Sequence, residues 1–137
     1  MKIYFAGSIR GGREHQEIYA KIIEYLEKYG KVLTEHVGEV ALNTNFESQN
    51  KEEYIYTRDT AWIKEADVLI AEVTFPSLGV GYEISYAEKL NKPILCLFGE
   101  FSDKSLSAMI QGNKDLTVRK YKNFEDAKKI IDDFLSV

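Results

Sequence analysis

The run "ADVLIAEVT", Ala66 to Thr74, constrains the fold more than any other stretch of this chain. Its centre is apolar without alternation, so both faces of the segment must be covered, as they are for a strand inside a parallel sheet. "KIYFAG", "KVLTEH" and "PILCLF" read as further short strands, "LTVRKY" as a weaker fifth, and longer amphipathic stretches stand between them. From Arg13 to Tyr29 the side chains Ile18, Ile22, Leu26 and Tyr29 recur at three- and four-residue steps, which makes one buried helical stripe ended by Gly30. A last helix, N-capped by Asn123, places Phe124, Ala127, Ile130, Ile131, Phe134 and Leu135 on one face. Strands alternating with helices predict a doubly wound α/β fold of the flavodoxin or Rossmann kind. Its five parallel strands would run in the order 2-1-3-4-5, with helices on both faces.

The 137 residues suit one domain spanning 1–137. A net charge of −4, from 18 basic and 22 acidic residues, argues against a broad binding face for nucleic acid or anionic membrane. Cys96 is the single cysteine and sits in an apolar run, so a buried thiol without an intrachain disulfide is expected. With no apolar run long enough for a bilayer and no signal-peptide pattern, a reducing cytoplasm is the expected location. Between His36 and Glu53 the periodicity fails, and "NTNFESQN" reads as a long functional or disordered loop.

In the 2-1-3-4-5 order the chain reverses direction between strands one and three, and ligands bind at the carboxyl ends of the strands beside that switch point. Two loops must meet there, "GSIRGGR" and "TFPSLGVGYE". They supply Ser8, Arg10, Ser77 and the backbone of Gly7, Ile9, Gly11, Gly79 and Gly81, a set of hydroxyls, amides and one guanidinium suited to a phosphate. On "GSIRGG" alone, tight turns and a solvated Arg10 would serve as well, since no dinucleotide or P-loop spacing is present. The second loop at the same crevice favours the pocket.

Glu83 is expected in the first turn of the helix after strand three, where free amides and the helix dipole would keep its carboxylate ionised. Acidic residues are common there for stability alone, so its neighbours decide. Tyr4, in the carboxyl half of strand one, could reach across to hydrogen-bond it, and Asp59 offers a second carboxyl group as acid or sugar-hydroxyl acceptor. Two carboxyls of different duty are what glycosyl cleavage through a covalent sugar intermediate needs. Glu72, before the loop, reads as a satisfied structural carboxylate. His15 and His36 are too isolated for a metal site, and Trp62 reads as a packing residue.

The segments "YFAGSIRGGR", "VLTEHV", "ADVLIAEVTFPSLGVGYE", "ILCLF" and "LSAMIQG" together resemble the 2'-deoxynucleoside 5'-phosphate N-hydrolase family, a branch of the nucleoside 2-deoxyribosyltransferase superfamily. That resemblance implies hydrolysis of the N-glycosidic bond of a 2'-deoxynucleoside 5'-monophosphate, with no cofactor and no metal. By motif position it makes Glu83 the nucleophile, Tyr4 its neighbour and Asp59 the second catalytic carboxylate. It also implies a homodimer whose neighbouring subunit supplies Ser107 and Met109 to a 5'-phosphate site built from Ser8, Arg10 and Ser77. Ala6 stands where some members have a cysteine, and Glu39 to Lys51 is this chain's own, which leaves base preference open.

Two other readings keep the same fold. A deoxyribosyltransferase would pass the sugar to a second base instead of water. A non-catalytic nucleotide- or flavin-binding module would make no chemical use of Glu83.

Overall fold

The computed structural model describes residues 1–9, 12–35 and 51–136. Among these, β1 (Lys2–Gly7), β2 (Lys31–Leu33), β3 (Val68–Glu72), β4 (Ile94–Gly99) and β5 (Thr117–Tyr121) form one parallel sheet in the order β2-β1-β3-β4-β5. The predicted order is therefore the observed one, with the switch point between β1 and β3. The helices are α1 (Gly12–Leu26), α2 (Lys51–Glu65), α3 (Leu78–Lys89), α4 (Ala108–Gln111) and α5 (Phe124–Leu135).

Successive side chains of a strand point to opposite faces, and this divides the core into two layers. Ile3, Phe5, Val68, Ile70, Leu95 and Leu97 pack on Tyr19, Ile22 and Leu26 of α1 and on Ala127, Ile131 and Leu135 of α5. Tyr4, Ala6, Leu69, Ala71, Ile94 and Cys96 face the other way, against Ile63 of α2 and Val80, Ile84 and Ala87 of α3. Burying an Ile or Leu as fully as Ile70 or Leu95 contributes about 2 kcal/mol relative to exposure. The division fixes which strand residues can reach the site, since Tyr4 lies on the α2 and α3 side and Phe5 does not.

Element ends depart from the sequence reading in two places. β2 pairs with β1 only through Leu33, so Thr34 and Glu35 leave the ladder instead of extending it. The regular part of α1 ends at Leu26, and the next residues make tighter i→i+3 turns, with Lys28 N donating to Tyr25 O at 3.2 Å and Tyr29 N to Leu26 O at 2.8 Å. Gly30 is therefore not the cap of α1. A Cβ there would lie 1.9 Å from the Met1 carbonyl oxygen, so the position needs glycine because the start of β1 passes against it.

Asn123 caps α5 as expected, its side chain accepting from Asp126 N at 2.9 Å. Glu72 is the structural carboxylate that the sequence suggested. It is fully buried, accepts from Thr74 N and Oγ1 at 2.8 Å each, and takes a third hydrogen bond from the Tyr121 hydroxyl.

Candidate active site

At the carboxyl ends of β1 and β3 a cavity of about 640 Å³ opens between the first loop, α2 and the start of α3. Gly7, Ser8 and Ile9 line one side, Asp59 of α2 another, and Ser77, Gly79 and Glu83 a third. The two loops that topology was expected to join do meet. Arg10 and Gly11, like the 36–50 stretch, lie outside the described residues.

Glu83 does not sit in the first turn of its helix. Ser77 is the N-cap, its hydroxyl accepting from Val80 N at 3.2 Å, and Glu83 is the sixth helical residue, in the second turn. The helix dipole fades within the first turn, so it cannot set the charge of this carboxyl. Burial pushes Glu83 up to about 7, Asp59 adds to the rise, and the Tyr4 hydrogen bond and Arg58 oppose it. The expectation of a carboxylate held ionised by the helix start is thus corrected: its ionisation depends on Tyr4 and Arg58.

Tyr4 is third of the six residues of β1, mid-strand and not in its carboxyl half, yet its ring is long enough for the hydroxyl to donate to Glu83 Oε2. Burial and the surrounding carboxyls push its own ionisation far up, so it remains a donor. Asp59 is 4% exposed, and Arg58 Nε donates to its Oδ1 at 2.9 Å. The Arg58 guanidinium lies 4.6 Å from the Trp62 ring centre and 5.9 Å from that of Tyr54, which fixes its direction. Trp62 packs, as the sequence suggested.

The structure adds a residue that the sequence reading did not single out. Glu35 lines the same cavity and is hydrogen-bonded to Asp59; one carboxylate oxygen from each of Glu35, Asp59 and Glu83 lies within 4.8 Å of the others. Burial, then the Asp59 hydrogen bond and the charges of Asp59 and Glu83, push Glu35 up to about 9. The signal was present in "VLTEHV": strand two neighbours strand one in this topology, so a carboxylate just past its end must fall beside Tyr4's face. Three carboxyl oxygens this close could share a cation. Here, however, Tyr4 serves Glu83, Arg58 serves Asp59, and Glu35 and Asp59 serve each other, so the group is balanced by its own partners.

The model of the family described as nucleoside 2-deoxyribosyltransferase matches residues 3–128, which take in every one of these groups. The chain belongs to that family. Among similar proteins, the 5-hydroxymethyl-dUMP N-hydrolase of Mus musculus is 54% identical over 114 residues, 82% of this chain and 66% of that protein. The 5-hydroxymethyl-dUMP N-hydrolase of Esox lucius is 49% identical over 139 residues, 98% of this chain and 95% of that one. A solved structure of a CMP N-glycosidase from Clostridium botulinum superposes with a TM-score of 0.69 at 20% identity, over 96% of this chain and 99% of that one, a likeness of fold.

The remaining features of this deoxyribosyltransferase-family chain lie around the carboxyl cluster. Ser8 is 4% exposed, and its backbone amide hydrogen-bonds the Tyr19 hydroxyl, which ties the first loop to α1. Gly12 follows with φ +79°, a left-handed turn into α1 that disfavours a side chain. A Cβ on Gly81 would meet nothing within 4 Å, and one on Gly79 only Ser77 Oγ at 3.8 Å, so these two glycines keep the cavity mouth open.

Ser107 and Met109 do not line the carboxyl cavity of their own chain. They line a second cavity of about 700 Å³ with Val73, Phe75, Leu78, Ile84, Leu106 and Ile110, and Ser77 borders both. Ser107 caps α4, accepting from Met109 N at 3.2 Å, while Met109 and Leu78 are 82% and 97% exposed. Among the described residues, no helix is long and apolar enough to cross a membrane.

Proposed function

We propose that this protein hydrolyses the N-glycosidic bond of 2'-deoxynucleoside 5'-monophosphates, releasing a free base and 2-deoxyribose 5-phosphate. The observation that carries this reading is the pairing of Glu83, held by Tyr4, with Asp59, held by Arg58, their oxygens within 4.8 Å in one cavity. Such a separation is nearer to the roughly 5 Å of glycosidases that form a covalent sugar intermediate than to the wider spacing that leaves room for a direct water attack.

In this reading Glu83 attacks the anomeric carbon and Tyr4 orients it. Asp59 handles the proton that the departing base takes up and that water later gives back. The lack of a 2'-hydroxyl eases formation of the oxocarbenium-like transition state, and the carboxylate beneath it stabilises that charge and then traps it. Ser8, Arg10, Gly11 and Ser77 hold the 5'-phosphate, with Gly7, Ile9, Gly79 and Gly81 shaping the cavity. No cofactor or metal enters the steps.

The active form is a homodimer in which Ser107 and Met109 of a second copy complete the phosphate site. The second cavity, with Leu78 and Met109 so exposed beside Ser77, supports this, because an apolar face of that kind gains by being covered. The chain acts as one deoxyribosyltransferase-like domain over 1–137, in a reducing cytoplasm where buried Cys96 stays a thiol.

The test is a panel of purine and pyrimidine monophosphates, with 5-hydroxymethyl-dUMP included because the similar proteins carry that name. Each is paired with its ribonucleotide and its unphosphorylated nucleoside. Base release from deoxynucleoside monophosphates is expected, and Glu83→Gln should lower it by about 10³-fold or more while nucleotide still binds. No release from any monophosphate overturns the enzyme reading, and equal release from unphosphorylated nucleosides removes the phosphate role of Ser8, Arg10, Ser77 and Ser107. Because the family is described by its transferases, a second free base is added in a parallel run; an exchanged nucleotide would favour transfer over hydrolysis.

A further inference from the structure

We propose that Glu35 is the proton-holding partner of Asp59: the two carboxyl groups share one proton, which is given to the departing base and then recovered from water. The inference rests on the hydrolase reading above. Glu35 acts through Asp59, so it is a positioning residue and not a second nucleophile.

The geometry leads there by accounting for each carboxyl. Glu83 receives the Tyr4 hydroxyl from β1, and Asp59 receives Arg58 Nε from its own helix, α2. Glu35 has Asp59 for its hydrogen-bond partner and lies close to Glu83 as well. Glu52, Tyr56 and Tyr82 are the other titratable groups described on this cavity's wall, and none of them brings a positive charge. Two carboxyls in contact cannot both ionise without strong repulsion, so one proton stays between them. Glu35, raised to about 9, holds it through neutral pH.

The steps balance. Glu83 Oε forms a bond to the anomeric carbon as the bond from that carbon to the base nitrogen breaks, and the electron pair leaves with the base. The base takes a proton from Asp59, which is refilled from Glu35, so the pair is left without its proton. Water then attacks the anomeric carbon, its proton passes to the Asp59 and Glu35 pair, and the Glu83 carboxylate departs. The pair ends each cycle as it began.

Glu35→Gln tests this, because an amide can keep a hydrogen bond to Asp59 but cannot give up a proton at these pH values. Two substrates are compared, the best monophosphate of the panel and 4-nitrophenyl 2-deoxyriboside 5-phosphate, whose phenolate leaves without needing a proton. For the variant, kcat on the natural substrate should fall about 100-fold with KM little changed, while the first-turnover burst of nitrophenolate keeps the wild-type rate. The alkaline limb of the wild-type pH profile should also vanish. In the free protein, carboxyl ¹³C NMR should show a group titrating near 9 that is absent from the variant.

Equal loss on both substrates, or a titration near 9 that survives in the variant, overturns the proposal. If wild type released neither base nor nitrophenolate, the hydrolase reading would fail, and the NMR titration would still decide whether the proton is shared.

Discussion

Glu83 carries opposing demands, since it must be ionised to attack, yet burial holds its carboxyl up at about 7. Activity measured as kcat/KM should therefore rise with pH through about 7, as the attacking form becomes populated. Tyr4 donates to the charged form and so favours it. Tyr4→Phe removes that donor without changing the ring, and the acid limb should move to higher pH by about one unit, with activity at pH 7 falling about tenfold. A pH profile of the two proteins checks this, and an unmoved limb would separate Tyr4 from the charge of Glu83. At this scale the sequence named Glu83, Tyr4 and Asp59 as residue types at a switch point. It misjudged what sets the charge of Glu83, because helix-start arguments count residues from an N-cap whose position only the folded chain reveals. Glu35 escaped because it was read as strand, and a strand residue two places past the last paired one no longer obeys the alternation that assigns faces.

Among the elements, α3 and α5 begin in the same way, with Ser77 and Asn123 each accepting a backbone N–H of the first turn. Either cap replaced by alanine should cost about 1 kcal/mol, a fall of roughly 4 °C in Tm for a chain of this size. The kinetics should differ. Ser77→Ala should also raise KM for a monophosphate severalfold, whereas Asn123→Ala should leave kcat and KM alone, and thermal melts with steady-state assays on both variants read the two effects apart. A matched loss of stability with no change in KM for Ser77→Ala would make that serine a cap and nothing more. Asn123 was legible because an N-cap and its apolar stripe are local. The end of α1 was not, since the need for glycine at position 30 comes from Met1, which the sheet brings beside it.

For the molecule as a whole, the face holding Leu78, Met109 and Ile110 is the one that a second copy would cover. Met109→Glu should place a charge in that contact, shift the protein from dimer to monomer in analytical ultracentrifugation, and lower activity on monophosphates at least tenfold by removing the neighbour's contribution. An active monomer would overturn the shared site. The chain's own pattern determined the strands, their parallel pairing order and the two loops at the reversal, because apolar runs, glycines and caps act over a few residues. Which groups share a proton, how far the carboxyl of Glu83 is raised, and that Glu35 joins it were decided by tertiary structure. Those properties depend on distances of a few ångströms between β1, α2, α3 and the end of β2, and on the water that their packing excludes.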